Sequence, residues 1–370
     1  MAPALKTVYG MEGEKVETVA GSQVVNVDPP CQNGGAKRSG KSTQMISSGP
    51  TPSETTRVGV LLVDDFGMLG FASALDALRY ANALSGSRLY QWKIYSKDGA
   101  PVRSSAGVHI GVDGAVSDAS DSDRVLLLAG VGAERFRDDV FFDQLRRLAR
   151  KGIVLGGVSL GPYLLARAGL LNGYRCTVHW ENLSSFKEEF PRLQVSAEVF
   201  EIDRDRLTCS GGTAALDLML EIIGSRHGRA LAGQVADACI LDRIRSRGDP
   251  QRMPLRLRLG VSHPKLLRAI ELIESSQEHR TNQRQLAGGV GLSERQLERL
   301  FRRYLDTTPS RYARDHRLAR ARDLLRQTGM SVIEVAIACG FTTASHFTKS
   351  YRERFGKTPG EDRGGSTFRH

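Results

Sequence analysis

No run of about 18 apolar residues occurs anywhere in the 370-residue chain, so no transmembrane helix is expected. The opening stretch "MAPALKTVYGMEGEKVETVAGSQ" lacks the apolar core of a secretory signal. Cysteine is scarce: Cys31, Cys176, Cys209, Cys239 and Cys339 are odd in number, widely spaced and without a C-x-x-C pair. That argues against a disulfide framework and a zinc site, and for reduced thiols in a cytoplasmic protein with no metal and no cofactor. The first 250 residues also lack net charge. The whole formal excess of +11 lies between Gln251 and His370, where 23 Lys and Arg stand against 12 Asp and Glu. A solvated basic surface would be the bland reading. A neutral body joined to a compact basic one points more strongly to nucleic acid.

The length allows two or three domains. Residues 1 to 55 are rich in Gly, Ser, Pro, Thr and Lys and show no sustained period, which predicts a disordered extension. Within it, Gly35 to Ser42 fits the phosphate-loop pattern G-x-x-x-x-G-K-[ST]. The prolines before it and the Gly-Pro-Thr-Pro after it remove the strand and helix that such a loop needs. Translation starting at Met45 would leave most of this extension out. Order is expected from "RVGVLLV" onward. Buried apolar strands there alternate with helical stretches, which predicts an α/β parallel sheet covered on both faces over 56–246. Residues 229 to 246 read as one last helix. A Pro/Arg-rich linker, 247–262, leads to an all-α region, 263–362.

That region repeats. "LAGGVGLSERQLERLFRRYLDTTP" and "VAIACGFTTASHFTKSYRERFGKTP" each read as short helix, Gly turn, polar cap and longer helix, a helix-turn-helix. In the first copy, Leu297, Leu300, Phe301 and Tyr304 form the apolar stripe, with Arg295, Glu298, Arg299 and Arg302 outside. In the second, Phe347, Tyr351 and Phe355 face inward, leaving Ser345, Thr348, Lys349 and Arg352 outward. Between them, "PSRYARDHRLARARDLLRQTG" is a helix with Leu318, Ala321 and Leu325 inside. Two such helices held on one monomer can enter successive major grooves about 34 Å apart. A helical solenoid binding protein is the alternative. The tail resembles the AraC-family DNA-binding domain over about 100 residues. The resemblance rests on "ACGFTTASHFTKSYRERFGKTP" and implies base-reading roles for Arg295, Glu298, Arg299, Ser345, Thr348 and Lys349. It departs in "LAGGVG", where two glycines soften a short helix.

"GGVSLGP" holds G-x-S-x-G, Gly157 to Gly161, between a buried strand and a helix, the setting of a nucleophile elbow. Ser159 would be the nucleophile and His179 its base. The sheet pattern resembles class I glutamine amidotransferase-like proteins, including the PfpI-type peptidases. Through "RVGVLLVDDFGMLGFASALDALRYAN", "GGVSLGPYLLARAGLLNGYRCTVHWENL" and "QRMPLRLRLGVSHPKLLRAIELIE", the whole of 57 to 360 resembles the GlxA-type regulators, most of all those activating glycine betaine, carnitine or arginine catabolism. Enzymes of that superfamily place Cys at the elbow, often His after it, and Glu near the first helix. Here stand Ser159, Leu160 and Gly70. The resemblance therefore implies a retired catalytic pocket that binds an effector. Gly70 and Phe71, Ser159 and Leu160, and "HWE" (His179, Trp180, Glu181) are the candidate ligand residues. An indole face beside a carboxylate suits a quaternary ammonium, though Trp180 as core and Glu181 as a solvated helix-start residue is the plainer alternative.

The expectation is a transcriptional activator that binds promoter DNA, answers a small cationic or zwitterionic metabolite, engages RNA polymerase and dimerises through its sheet domain. A Ser159 hydrolase or amidase with a DNA-binding appendage is the second reading. A constitutive DNA-binding protein is the third.

Overall fold

The computed structural model describes residues 55–275 and 282–364. The Gly35–Ser42 motif, Met45, Cys31 and nearly all of the expected extension lie outside the described residues.

The chain opens with β1 (Thr56–Leu62), α1 (Met68–Ser85) and β2 (Tyr90–Ser96). A small antiparallel pair, β3 (Val102–Arg103) and β4 (His109–Ile110), and the short β5 (Gly114–Ala115) follow. Next come β6 (Arg124–Ala129), α2 (Asp139–Arg150), β7 (Val154–Ser159) and α3 (Gly161–Arg167). Then β8 (Arg175–Cys176), α4 (Leu183–Glu189), β9 (Gln194–Val195), β10 (Phe200–Asp203), β11 (Arg206–Cys209), α5 (Ala214–His227) and α6 (Arg229–Ala238) complete this half. Seven strands form the main sheet in the order β10-β11-β7-β6-β1-β2-β5, parallel except for β10.

Strand side chains alternate between faces, and each face has its own core. Val58, Val60 and Leu62 of β1, with Leu126 and Leu128 of β6, pack under α1, α5 and α6. Leu61, Val125, Leu127 and Ala129 point the other way, against α2 and α3. With both faces covered, the central strands β1, β6 and β7 are almost continuously apolar, as a buried parallel sheet requires, while β2 nearer the edge keeps Gln91 and Lys93 exposed.

The helix expected over 229 to 246 stops at Ala238. Ile240 adopts a left-handed φ of 55° and is exposed. The cause is Asp217, buried at the start of α5. Its carboxylate takes both the backbone N–H and the guanidinium of Arg245, at 2.9 and 2.8 Å. The chain has to double back to reach it, and that ion pair outweighs helix propensity.

Residues 247–262 are also tied down. Arg247 pairs with the fully buried Glu201 at 2.8 Å. The Gln251 amide donates to Thr177 Oγ1 and to the carbonyls of Val178 and Glu198. A single helical turn and a half, α7 (Leu255–Leu259), then lays Leu255 and Leu259 on the core of the helical region.

The helical region has two cores. The first gathers α8 (Pro264–Ser275), α9 (Gln283–Gly289) and α10 (Glu294–Leu305) around Leu266, Ile270, Leu286, Leu297 and Phe301. The second joins α12 (Val332–Ala338) and α13 (Ala344–Phe355) around Leu324, Val335, Phe347 and Tyr351, and α14 (Pro359–Gly364) attaches to it through Asp362. Between them, α11 (Pro309–Gln327) lends Tyr312 and Ala313 to the first and Leu318, Ala321 and Leu325 to the second. One expected inward residue differs: Tyr304 is exposed, its ring against His263. Asp306 ends α10 in the left-handed conformation one residue after Leu305, so the last turn overhangs the core edge and Leu305 packs there instead.

Candidate effector site and nucleic-acid interface

Strand β7 delivers Ser159 at φ 60°, a left-handed conformation rare for serine. The elbow leaves no space beneath it: a side chain at Gly161 would lie 2.2 Å from the Leu127 carbonyl oxygen. Only glycine allows the chain to turn there. The 211–212 turn abuts the elbow directly, since a Cβ on Gly211 would sit 2.6 Å from Ser159 Cβ. Gly70, in the first turn of α1, closes the third side; its missing Cβ would meet Val158 and the Gly212 backbone. The fourth side is His179, whose backbone N–H donates to the Ser159 carbonyl at 3.3 Å. Four separated stretches thus converge on one point at the carboxyl end of the sheet, where open α/β folds bind ligands.

The expected residues do not all share that point. Gly70, Ser159 and His179 meet there. Phe71 turns into the core beneath the sheet, edge-on to Phe66 at 5.6 Å. Leu160 turns into the opposite core. Each is the sequence neighbour of a residue at the elbow, and one step along a tight turn or a helix swings a side chain away.

Among the described residues, no imidazole hydrogen-bonds to the Ser159 hydroxyl. His179 is engaged elsewhere: its Nδ1 accepts the Glu181 N–H at 3.4 Å. A neutral imidazole accepting at Nδ1 carries its proton on Nε2 and has no free lone pair for a nucleophile. Burial lowers the His179 pKa below its ordinary value, against the pull of the Glu181 carboxylate, so the neutral form prevails near pH 7. Cys209 ends β11 beside the elbow, yet burial pushes its thiol up to about 12, which leaves it protonated and inert.

Trp180 starts a short 3₁₀ turn, Trp180–Asn182, and is 36% exposed. Its ring is not open. The Arg252 guanidinium lies over it, 4.3 Å from the ring centre. Sequence reasoning missed Arg252, because no local pattern links it to Trp180. It also missed the seam where α11 meets α4. There Arg320 donates to Ser184 Oγ at 2.7 Å and pairs with Glu188 at 3.4 Å. The Ser185 hydroxyl donates to Gln327 Oε1 at 2.7 Å and lies 2.8 Å from the buried Tyr163 hydroxyl. Asp323 faces this seam. Burial, then the nearby Glu181 charge, push its carboxyl up to about 7, with Arg326 and Arg322 opposing. A cavity of about 530 Å³ beside it is lined by Arg135, Arg137, Glu188, Arg326 and Gln327 among others.

In the helical region the outward faces are as the spacing predicts. Arg295, Arg299 and Arg302 are exposed on α10, while half-buried Glu298 pairs with Arg302 at 3.0 Å. On α13, Ser345, Lys349 and Arg352 are exposed, Thr348 is half-buried, and all four line one concavity. Each helix is entered through a glycine at positive φ, Gly291 and Gly340, and capped by Ser293 or Thr343. No helix among the described residues is long and apolar enough to cross a membrane, and no cluster of three or more His, Cys, Asp or Glu there could hold a metal ion.

A ligand-type elbow domain followed by paired helix-turn-helix units on a basic tail defines a DNA-binding regulator. The family described as "Helix-turn-helix domain" matches residues 286–365, and the DJ-1/PfpI family matches residues 56–225. The chain is 47% identical over 310 residues to the HTH-type transcriptional regulator GbdR of Pseudomonas aeruginosa, covering 83% of this chain and 84% of that protein. It is 44% identical over 303 residues to CdhR of the same species, covering 82% and 90%. It is 37% identical over 305 residues to GlxA of Rhizobium meliloti, covering 82% and 94%. The chain belongs to the AraC-type transcriptional regulators that join a DJ-1/PfpI domain to a helix-turn-helix tail. It is a sequence-specific DNA-binding protein.

Proposed function

We propose that the chain is an activator that responds to a small cationic or zwitterionic metabolite of betaine, carnitine or arginine type. In this reading, residues 56–246 sense the effector, 247–262 transmit its binding and 263–362 bind promoter DNA. The observation that carries the reading is the state of the elbow. Ser159 keeps the strained geometry, but the imidazole that should activate it is committed to Glu181. A serine hydroxyl without a base is a poor nucleophile. The domain is therefore read as a binding site and not an enzyme. The elbow's backbone N–H groups would receive a carboxylate, and the Trp180 ring with Glu181 a quaternary ammonium or guanidinium.

DNA contact is assigned to Arg295, Glu298, Arg299 and Arg302 in one groove and to Ser345, Thr348, Lys349 and Arg352 in the next. Arginine suits the guanine edge, and lysine and threonine suit phosphate or mixed contacts. We also read the chain as cytoplasmic, dimeric through its sheet domain and in contact with RNA polymerase at the promoter.

Melting the full chain against betaine, carnitine, arginine and neutral isosteres tests the reading. A shift with a cationic metabolite, lost in Trp180→Ala and kept in Ser159→Ala, is expected. Turnover of an ester or amide that disappears in Ser159→Ala would instead establish the hydrolase. No shift with any of these compounds would leave only constitutive DNA binding.

A further inference from the structure

The segment from Arg243 to Arg252 does not simply join two domains. It crosses the carboxyl end of the sheet, fixed to one element after another around the elbow. Arg245 reaches Asp217 and the Thr213 hydroxyl, just beyond the Gly211–Gly212 turn. Arg247 reaches Glu198 and Glu201. Gln251 reaches Thr177 and the Val178 carbonyl, next to His179. The last contact in this series is Arg252 on the Trp180 ring. A cation on an indole face is what a quaternary ammonium or guanidinium effector would provide at the same place.

Arg252 also has a second partner. Its guanidinium lies 3.7 Å from Glu274 of α8, whose carboxylate already accepts from Arg258 at 2.9 Å and from the Tyr312 hydroxyl at 3.0 Å. Arg252 thus bridges Trp180 of the sheet domain and Glu274 at the end of α8, which packs in the first helix-turn-helix core. Three residues further on, Leu255 packs on that same core. A movement of Arg252 away from Trp180 is thus transmitted to the DNA-binding half over a very short length of chain.

We propose that Arg252 is a built-in occupant of the cation site on Trp180, which the cationic group of the effector must displace, and that displacement frees the Arg252 end of the strap and so the first helix-turn-helix unit. This rests on the sensor reading above and adds its mechanism: the protein competes with its own ligand. A ligand can shift the equilibrium only by its differential affinity for the two states, and here the difference is whether the ring face is covered.

The two tryptophans make the test direct. In the full chain carrying Trp92→Phe, Trp180 is the remaining indole, and its emission is titrated with tetramethylammonium chloride against matched potassium chloride. Arg252→Ala in that background should lower the midpoint by about three- to thirtyfold, the range a single cation–π contact supplies. A parallel measurement needs no change at Trp92: tryptic cleavage within 243–258 of the native chain should quicken on adding tetramethylammonium, and in Arg252→Ala it should be fast without it. Equal midpoints and equal cleavage rates in the two proteins overturn the competition while leaving the metabolite-sensor reading standing. A metabolite that raises the melting temperature while Trp180 emission ignores every cation overturns it too, by placing the effector elsewhere. If neither metabolites nor tetramethylammonium act, both readings fall together.

Discussion

The two helix-turn-helix units follow one plan but are held by different parts of the molecule. The first shares its core with α7, at the end of the strap over the elbow, so its position follows the strap. The second shares its core with the carboxyl half of α11, which is fastened to α4 through Arg320 and Gln327. The first unit is also the softer. Its leading helix, α9, contains Gly288 and Gly289, and no steric need requires either: a Cβ on Gly288 would meet nothing within 4 Å, and one on Gly289 only an ordinary contact with Leu272. The leading helix of the second, α12, opens instead with a Ser331–Glu334 capping box. At the far end, the second unit is closed by Asp362, which takes Arg322, Arg326 and the Tyr351 hydroxyl, each at 2.8 Å. One unit is thus tied to the strap over the elbow, and the other to α4.

The largest test of that contrast is Asp362→Ala. Asp362 is buried but its arginine partners are about a third exposed, so losing its three hydrogen bonds costs about 3 kcal/mol. Chemical denaturation should show the second unit melting early while the sheet domain is unaffected. Its pH behaviour has a defined sign. Burial raises the Asp362 carboxyl, but the hydrogen bonds from Arg326, Tyr351 and Arg322 outweigh that and hold it at about 2. The stabilisation is present above the ordinary carboxylate range and is lost as pH falls toward 2.

Next in size is the difference between the reading faces. Arg299→Ala should cost about 1–3 kcal/mol of DNA binding and relax preference at one base pair, whereas Arg352→Ala should weaken all sequences alike and lower the salt slope by about 1. Identical behaviour of the two variants in competition binding would break the comparison at the level of readout.

A smaller effect is expected where α11 meets α4. With its carboxyl raised to about 7, Asp323 is protonated in the fold at pH 6, although an unfolded aspartate would be ionised. Stability therefore declines as pH rises from about 4 to about 7 and levels off above that. Ionised Asp323 meets the Glu181 charge across the seam, offset by Arg326 and Arg322 on its own helix. The second unit should loosen from the sheet domain between pH 6 and 8, measured as hydrogen exchange in α4, and Asp323→Asn should abolish the change. The smallest effect is Gly288→Ala, which should stabilise the first unit by roughly 0.5–1 kcal/mol and narrow the gap between the units.

How much of this was legible depends on how local each signal is. The strands of the sheet, the elbow and both helix-turn-helix units are written in residues that repeat at the strand or helix period, so "RVGVLLV", "GGVSLGP" and "ACGFTTASHF" identify themselves. The meeting of Gly70, Ser159 and His179 was legible in part, because turns that follow successive parallel strands fall at the same edge of a sheet. The contacts that join the halves were not legible. Ser185 meets Gln327 across 142 residues, and Arg252 meets Trp180 across the strap; neither pair leaves a period or a motif. The helix expected to run to 246 failed for a related reason: Asp217 draws Arg245 from 28 residues away and overrides the local preference.

The 19 residues of α11 have a consequence for the operator. A continuous helix of that length measures about 28 Å and neither stretches nor twists cheaply. Each base pair added between the two contacted segments rotates one of them about the duplex by roughly 34–36°. Promoters differing by a single inserted base pair at that spot should lose one groove contact altogether, whatever their sequence on either side.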